Sequence, residues 1–341
     1  MMTNSVRVLA AGDRFVRPSL ITAALAREAR CDIRELTLDW PRKPFGRVGE
    51  VHEASDVEDE LIAALAGADV LVTQTAPVTE RVLTARPELR LVAVCRGRPV
   101  NVNLDAARRH DVRVCCAPRR KAAAVAEFTV GLLLAALRRI PQAHDRLAAQ
   151  GSWAGPRYYT YEHSGLELED LPVGVIGYGA VGSRVARALG AFGARVMVYD
   201  PYARGETHGL RMSSLDELLR RSRVISLHAR VTEETRGLIG ARELALLPPG
   251  AVVVNTARGA LLDEGALCDA LEDGRLAAAA LDTYADEPLP ADSRLRTAGE
   301  RVVLTPHVGG ASRAVAEKGA RTAAAEVGRW IRGERLHHCL T

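Results

Sequence analysis

The chain has 341 residues, 48% of them hydrophobic and 26% charged, with a net charge of +4. That length exceeds one ordinary domain and predicts two, and the composition is that of a globular protein. A small, dispersed charge without a basic helix or aromatic–basic alternation excludes a nucleic-acid surface. The most apolar stretch, Ala122–Leu137, is short and carries Glu127 and Gly131, so it predicts a buried helix and no membrane span. Cys31, Cys95, Cys115, Cys116, Cys268 and Cys339 show neither C-x-x-C spacing nor a nearby histidine pair. They are read as thiols in a reducing cytoplasm, with no metal site.

From Ser5 to about Cys116, short apolar runs alternate with amphipathic ones. Strands are expected at Val6–Ala10, Ile33–Leu38, Val70–Thr73, Leu91–Val94 and Val112–Cys115, with helices near Ser19–Glu28, Asp56–Ala66 and Asn103–His110. This βα alternation implies a parallel sheet covered on both faces. A long helix follows at Ala123–Leu147, interrupted near Pro141, with apolar residues all round at first, so both of its faces are expected to be buried, in part by another subunit. The stretch Gly151–Leu171 carries Trp153, Tyr158, Tyr159 and Tyr161 and reads as a long loop suited to an interface.

A second βα series opens at Val173–Asp200. After the apolar run Val173–Ile176, Gly177, Gly179 and Gly182 stand in G-x-G-x-x-G spacing, followed by a helical pattern and a strand ending at Asp200. Gly177 permits a tight turn, Gly179 lets backbone approach a pyrophosphate, and Gly182 lets helix pack on strand. The helix N-terminus offers unpaired amides to phosphate, and Asp200 accepts from ribose hydroxyls while repelling a 2′-phosphate. The unit therefore predicts a dinucleotide site, with NAD as the cofactor. Further strands at Val224–Leu227, Ala251–Asn255, Ala278–Leu281 and Val302–Leu304 complete a nucleotide domain, and a last helix, Ser312–Gly333, returns to the first unit. The fold class expected is α/β, with two doubly wound parallel-sheet domains. A Rossmann-type nucleotide domain, residues 122–313, is inserted in a flavodoxin-like substrate domain, residues 1–121 with 314–341 returning to it.

Three stretches lie just past strand ends, where open α/β sheets build their sites. They read Asn255-Thr256-Ala257-Arg258-Gly259, Asp282-Thr283-Tyr284-Ala285-Asp286-Glu287-Pro288, and Thr305-Pro306-His307-Val308-Gly309-Gly310. A histidine titrates near working pH and can give or take a proton, a carboxylate on its other nitrogen supports the imidazolium, and an arginine fork holds a carboxylate.

The order NTARG, DEP and TPHVGG behind a central glycine motif resembles the D-isomer-specific 2-hydroxyacid dehydrogenases, most closely their phosphoglycerate dehydrogenase-like members, from Asp69 to about Gly333. The resemblance implies NAD-dependent hydride transfer between a 2-hydroxy acid and its 2-keto acid, with Arg258, Glu287 and His307 catalytic. It implies cofactor contacts at Gly177, Gly179, Ala180, Val181, Gly182, Asp200, His228, Thr232, Thr256, Ala257, Asp282 and Gly309. It also places substrate at the segment Arg96-Gly97-Arg98, with Arg258. There the sequence departs from the family, with Arg98 standing where many members have glycine. Arg119-Arg120-Lys121 departs as well, since many members have a glycine and a small polar residue around the basic position. Arg96, Arg98, Arg119, Arg120 and Lys121 together suit a second anionic group, a phosphate, phosphonate or carboxylate; their other reading is a solvated basic edge. The partners expected are a small 2-hydroxy or 2-keto acid and a second copy in a homodimer. The same fold and triad also occur in NAD-sensing corepressors, which act through partner binding.

Overall fold

The computed structural model describes residues 5–40, 46–153, 155–161 and 163–341. The chain divides into two compact units, one running to Arg120 and resuming over Ser312–Thr341, the other spanning Lys121–Ala311.

In the first unit the order is β1 (Arg7–Gly12), α1 (Pro18–Leu25), β2 (Asp32–Thr37), β3 (Arg47–Val48), β4 (Val51–His52), α2 (Glu58–Ala64), β5 (Val70–Thr73), α3 (Glu80–Ala85), β6 (Leu91–Val94), α4 (Leu104–Arg109) and β7 (Arg113–Cys115). β3 and β4 form a small antiparallel hairpin. The other strands make a parallel sheet in the order β2-β1-β5-β6-β7. Successive side chains of a strand point to opposite faces. Accordingly Val8, Ala10, Val70, Val72 and Leu91 pack with α1 on one face, whereas Leu9, Ala11, Leu71, Val92 and Val94 pack with α2 and α3 on the other. α3 carries no strong apolar period and starts on Thr79, whose hydroxyl accepts from the Val82 amide.

The second unit opens with α5 (Ala122–Arg138), α6 (Ile140–Ala148) and α7 (Gly155–Tyr158). The interruption expected near Pro141 falls at Arg139, whose φ of 52° is left-handed, two residues before the proline, which removes an amide and clashes with the preceding turn. Within the single chain, α5 is buried on one face. Ala123, Glu127 and Gly131 form an exposed stripe, while Ala126, Val130, Leu133 and Leu137 are buried. Alanine and glycine on that stripe made the helix look apolar all round.

Then follow β8 (Pro172–Ile176), α8 (Gly182–Ala191), β9 (Arg195–Tyr199), β10 (Leu210–Arg211), α9 (Leu215–Arg221), β11 (Val224–Leu227), α10 (Ala241–Ala245), β12 (Ala251–Asn255), α11 (Glu264–Glu272), β13 (Leu276–Leu281) and β14 (Val302–Leu304). The sheet is parallel throughout, in the order β10-β9-β8-β11-β12-β13-β14. Strand order reverses beside β8, the position at which doubly wound sheets open a crevice for a nucleotide. Val173, Val175, Val254 and Ala280 face α5 and α8, and Ile225, Val253 and Leu281 face the opposite layer. α12 (Arg313–Ile331) belongs to the first unit, where Ala316, Ala320 and Val327 pack on the face of α1. Among the described residues no helix is long and apolar enough to cross a membrane.

Candidate active site

The turn after β8 is built by three glycines doing three different things. Gly177 has φ +94°, and a Cβ there would lie 2.6 Å from the Ala229 amide nitrogen, so the turn must be both left-handed and bare. Gly182 begins α8, and a Cβ there would fall 2.0 Å from the Gly177 carbonyl oxygen. At Gly179 a Cβ would meet nothing within 4 Å. The space beside that backbone is open, at the N-terminus of a ten-residue helix that starts just past Val181. This is the geometry a pyrophosphate requires: bare backbone, unpaired amides and the positive end of the helix. Asp200, at the end of β9, accepts from the amide of Tyr178 at 2.6 Å and from that of Tyr202 at 2.8 Å. It thereby ties the glycine turn to the next strand, and its remaining lone pairs are left for a ribose. Glycine turn, helix N-terminus and strand-end acid together fit a dinucleotide.

His228 follows β11, with its amide donating to the Ile176 carbonyl oxygen at 2.7 Å. Its Nε2 lies 2.8 Å from Ser226 Oγ, and burial pushes the ring's pKa down to about 4, so the imidazole is neutral at physiological pH. Thr232 is exposed, its amide donating to Thr235 Oγ1 at 2.8 Å. Thr256 is buried at the end of β12, with its hydroxyl 2.6 Å from that of Thr129 on α5.

Three strand ends hold the chemistry. His307 sits after β14 in a left-handed conformation, φ 53°, which turns its ring out of the strand direction. Nδ1 of His307 is 2.7 Å from Oε2 of Glu287, and the other oxygen of Glu287 accepts from the Tyr284 amide at 3.0 Å. Burial would raise the Glu287 pKa, but the bonds from His307 and the Tyr284 amide and the charge of Arg258 outweigh it, leaving the carboxyl below its ordinary range. Glu287 is therefore ionised and supports a proton on the imidazole.

Asp282 is 1% exposed and organises the histidine loop. One oxygen accepts from Thr305 Oγ1 at 2.7 Å and from the Val308 amide at 2.9 Å; the other accepts from the Gly309 amide at 2.8 Å. The sequence suggests Asp282 as a cofactor contact; in the fold both of its oxygens already hold the loop that carries His307. Buried Tyr284 reinforces this, donating to the carbonyl oxygens of Thr305 at 2.9 Å and Leu281 at 3.2 Å.

Arg258 stands on an exposed turn, its backbone carbonyl held by Asn255 Nδ2 at 2.9 Å and its Nη1 donating to the Ala257 carbonyl at 2.6 Å. The next residue, Gly259, has no room for a side chain, since its Cβ would fall 1.8 Å from the Tyr284 carbonyl carbon. The arginine turn is thus pressed onto the loop that carries Glu287. Glu264 accepts from the Ala285 amide at 2.6 Å and fastens the same loop from α11. The sequence reading missed Thr129, Tyr284, Thr305 and Glu264, because their roles lie in side-chain and backbone contacts that no spacing announces.

In the first unit, the strand ends gather Asp13, Gln74, Arg96 and Arg120. Arg120 is 6% exposed; its Nη1 donates to Gln74 Oε1 at 2.9 Å and its Nε has no partner. Arg96 pairs with the Glu53 carboxylate and donates to that residue's carbonyl at 3.0 Å. Burial, with the nearby charge of Arg120, pushes the Arg96 pKa down to about 10. Asp13 is fully buried, accepting from the Phe15 and Val16 amides at 2.8 Å. Gly97 and Arg98 are exposed, and Arg98 lines a cavity of about 700 Å³ with His52, Val100, Asn103 and Leu340. The anticipated cluster is therefore divided: Arg96 and Arg120 are drawn inward, and Arg98 borders a separate hollow.

A seven-stranded parallel sheet, with a glycine turn at its switch point and an arginine, a glutamate and a histidine at three strand ends, defines a dinucleotide-binding protein of the doubly wound class. Residues 130–309 match the family described as D-isomer specific 2-hydroxyacid dehydrogenase, NAD binding domain, and the chain belongs to that family. It is 43% identical over 272 residues to D-3-phosphoglycerate dehydrogenase of Mycobacterium tuberculosis (strain ATCC 25618 / H37Rv), covering 79% of this chain and 50% of that one. It is 39% identical over 264 residues to glyoxylate reductase of Aeropyrum pernix, covering 75% of this chain and 77% of that one. The crystal structure of TT0316 protein from Thermus thermophilus superposes with a TM-score of 0.77 at 29% identity, covering 98% of this chain and 100% of that one. The chain spans about half the length of the D-3-phosphoglycerate dehydrogenase.

Proposed function

We propose that the chain is an NAD-dependent oxidoreductase that moves a hydride between its cofactor and C2 of a 2-hydroxy or 2-keto acid bearing a second anionic group. The observation that carries this reading is the 2.7 Å contact between His307 Nδ1 and the ionised Glu287. With Nδ1 given to Glu287, the proton of the substrate hydroxyl is exchanged through Nε2, and the carboxylate stabilises the imidazolium that forms. Arg258 holds the substrate carboxylate through its fork and polarises the adjoining carbonyl. The glycine turn, Asp200 and Thr256 would hold the cofactor, whose nicotinamide would supply the hydride chemistry.

Support for the second anion comes from Arg120. A buried guanidinium with an unpartnered Nε is costly unless something anionic completes it. Gly97 lies on the same first-unit strand ends and offers backbone amides to the same ligand. The two similar relatives differ in kind, one acting on a phosphorylated acid by its name and one on glyoxylate, so the substrate must be measured. The test is a panel of plain and phosphorylated 2-keto acids read by NADH absorbance. Arg120→Met is expected to raise KM for a phosphorylated or dicarboxylic substrate at least about tenfold, worth about 1.4 kcal/mol, and to leave glyoxylate nearly unchanged. Equal responses in both substrate classes would remove the second anion from the reading.

The chain is further proposed to work as a homodimer. Ile140, Leu147, Trp153, Tyr159 and Tyr161 are large apolar or aromatic residues standing more than half exposed within one stretch of the second unit. Such a set suits a subunit interface. Light scattering should give the mass of two chains, and Trp153→Ser with Tyr159→Ser should give that of one.

A further inference from the structure

A second group of reactive side chains lies in the first unit, on the outer side of its sheet. β7 is an edge strand, and residues 338–341 run antiparallel beside it. The Cys116 amide donates to the His338 carbonyl at 3.1 Å and the Leu340 amide to the Val114 carbonyl at 2.8 Å. Cys115 and Cys339 are thus directly opposite each other between those two bonds, at the non-hydrogen-bonded position of the ladder. Cα atoms at such a position are about 4.5 Å apart with side chains on the same face, inside the roughly 4.4–6.8 Å range of disulfides. The Cys115 thiol lies close enough to both the Cys339 thiol and the Glu326 carboxylate to interact with them, and the Cys339 thiol donates to the Thr341 carbonyl oxygen at 3.2 Å. Glu326 is fully buried on α12, accepting from Arg329 Nη1 at 2.8 Å, the His337 amide at 2.9 Å and the His338 amide at 3.2 Å. Cys339 is partly exposed, whereas Cys115 and Cys116 are buried.

We infer that Cys115 and Cys339 are a peroxide-reactive modification site that closes into a disulfide, with Cys339 as the thiol attacked first. The Cys339 thiol gives up its proton, and the thiolate takes one oxygen from hydrogen peroxide, giving a sulfenic acid and a hydroxide that leaves as water with that proton. The Cys115 thiol then yields its proton to Glu326 and attacks the Cys339 sulfur. The S–O bond breaks, the S–S bond forms, and the departing hydroxide leaves as water with the proton from Glu326. Two thiols and one peroxide thus become one disulfide and two waters. The order follows from access and charge, since burial and the neighbouring Glu326 push the Cys115 and Cys116 thiols up, away from the nucleophilic thiolate. Raised thiols form a disulfide slowly, but their thiolates are poor leaving groups, so the link once closed resists reduction. The link fixes the C-terminal segment along β7, whose chain continues through Ala117 and Pro118 into the turn that carries Arg120. None of this depends on the dehydrogenase reading.

The test is titration of the full chain with hydrogen peroxide at neutral pH, followed by denaturing alkylation and peptide mass spectrometry. The expected product is a Cys115–Cys339 peptide pair lighter by two hydrogens, formed within one chain and reversed by dithiothreitol. It is retained in Cys116→Ser and Cys268→Ser and absent in Cys339→Ser. Amide exchange over 335–341 is expected to slow in the oxidised form. A Cys339 that stays reduced, that over-oxidises without linking, or that joins Cys116 or another chain overturns the proposal.

Discussion

At the scale of single residues, the site separates groups that do chemistry from groups that aim them. Removing the imidazole in His307→Ala takes away the proton carrier and should lower kcat by about 10²–10⁴ with NADH binding little changed. Glu287→Gln keeps an acceptor for the Tyr284 amide but no longer stabilises imidazolium, so the pH–rate profile should move. Stopped-flow rates across pH distinguish the two, and an unmoved profile in the glutamine variant would separate Glu287 from the proton transfer. Asp200 has a similar double load. Asp200→Asn keeps one acceptor for the backbone amides it now binds and loses the charge that repels a 2′-phosphate. The ratio of kcat/KM for NADP over NAD should rise at least about tenfold, about 1.4 kcal/mol.

At the scale of elements, one crowded and one open glycine position predict opposite phenotypes. Gly259 lies under the Tyr284–Ala285 backbone, so Gly259→Ala must push the Glu287 loop away from the arginine turn. Overpacking of this kind costs about 1–3 kcal/mol, and kcat should fall with the melting temperature. Gly179 faces open space, so Gly179→Ala should fold with an unchanged melting temperature and raise only the KM for the cofactor. Melting curves and cofactor titrations on the two variants read this contrast directly. A stable Gly259→Ala with full activity would mean that the two strand-end loops are not coupled.

At the scale of the whole molecule, the site's electrostatics set how stability depends on pH. His228 has its pKa lowered to about 4 from 6.5, so in the interval between them the unfolded chain binds a proton that the native chain does not. Stability from this group is complete above about 6.5 and is lost as pH falls toward 4. Glu287, held below its ordinary 4.5, contributes stability above that value that is lost as pH falls through its lower native pKa. The two effects add on the acid side. Unfolding free energies from urea titration should therefore decline below neutrality, by up to about 1.4 kcal/mol per pH unit from His228 alone. His228→Gln should flatten the interval between 4 and 6.5, and an unchanged slope would show that the ring titrates normally.

The sequence by itself determined the alternation of strands and helices, the two parallel sheets, the place of the dinucleotide turn and the three strand ends that carry Arg258, Glu287 and His307. These are local properties: apolar runs of strand length, glycines where a turn must be left-handed or bare, and polar residues directly after a strand. Short elements without a period, such as α3 and β10, were not legible, and α5 looked buried all round because small side chains hide which face is wet. Only tertiary structure decided that Asp282 holds the histidine loop, that Arg96 takes Glu53 as its partner, and that Arg120 is buried while Arg98 borders a different hollow. It also decided that Cys115 and Cys339, more than two hundred residues apart in the chain, face each other across a ladder. Pairings of that kind depend on register and on which strand end lies beside which. The chain carries no signal for them until long-range contacts bring its strands side by side.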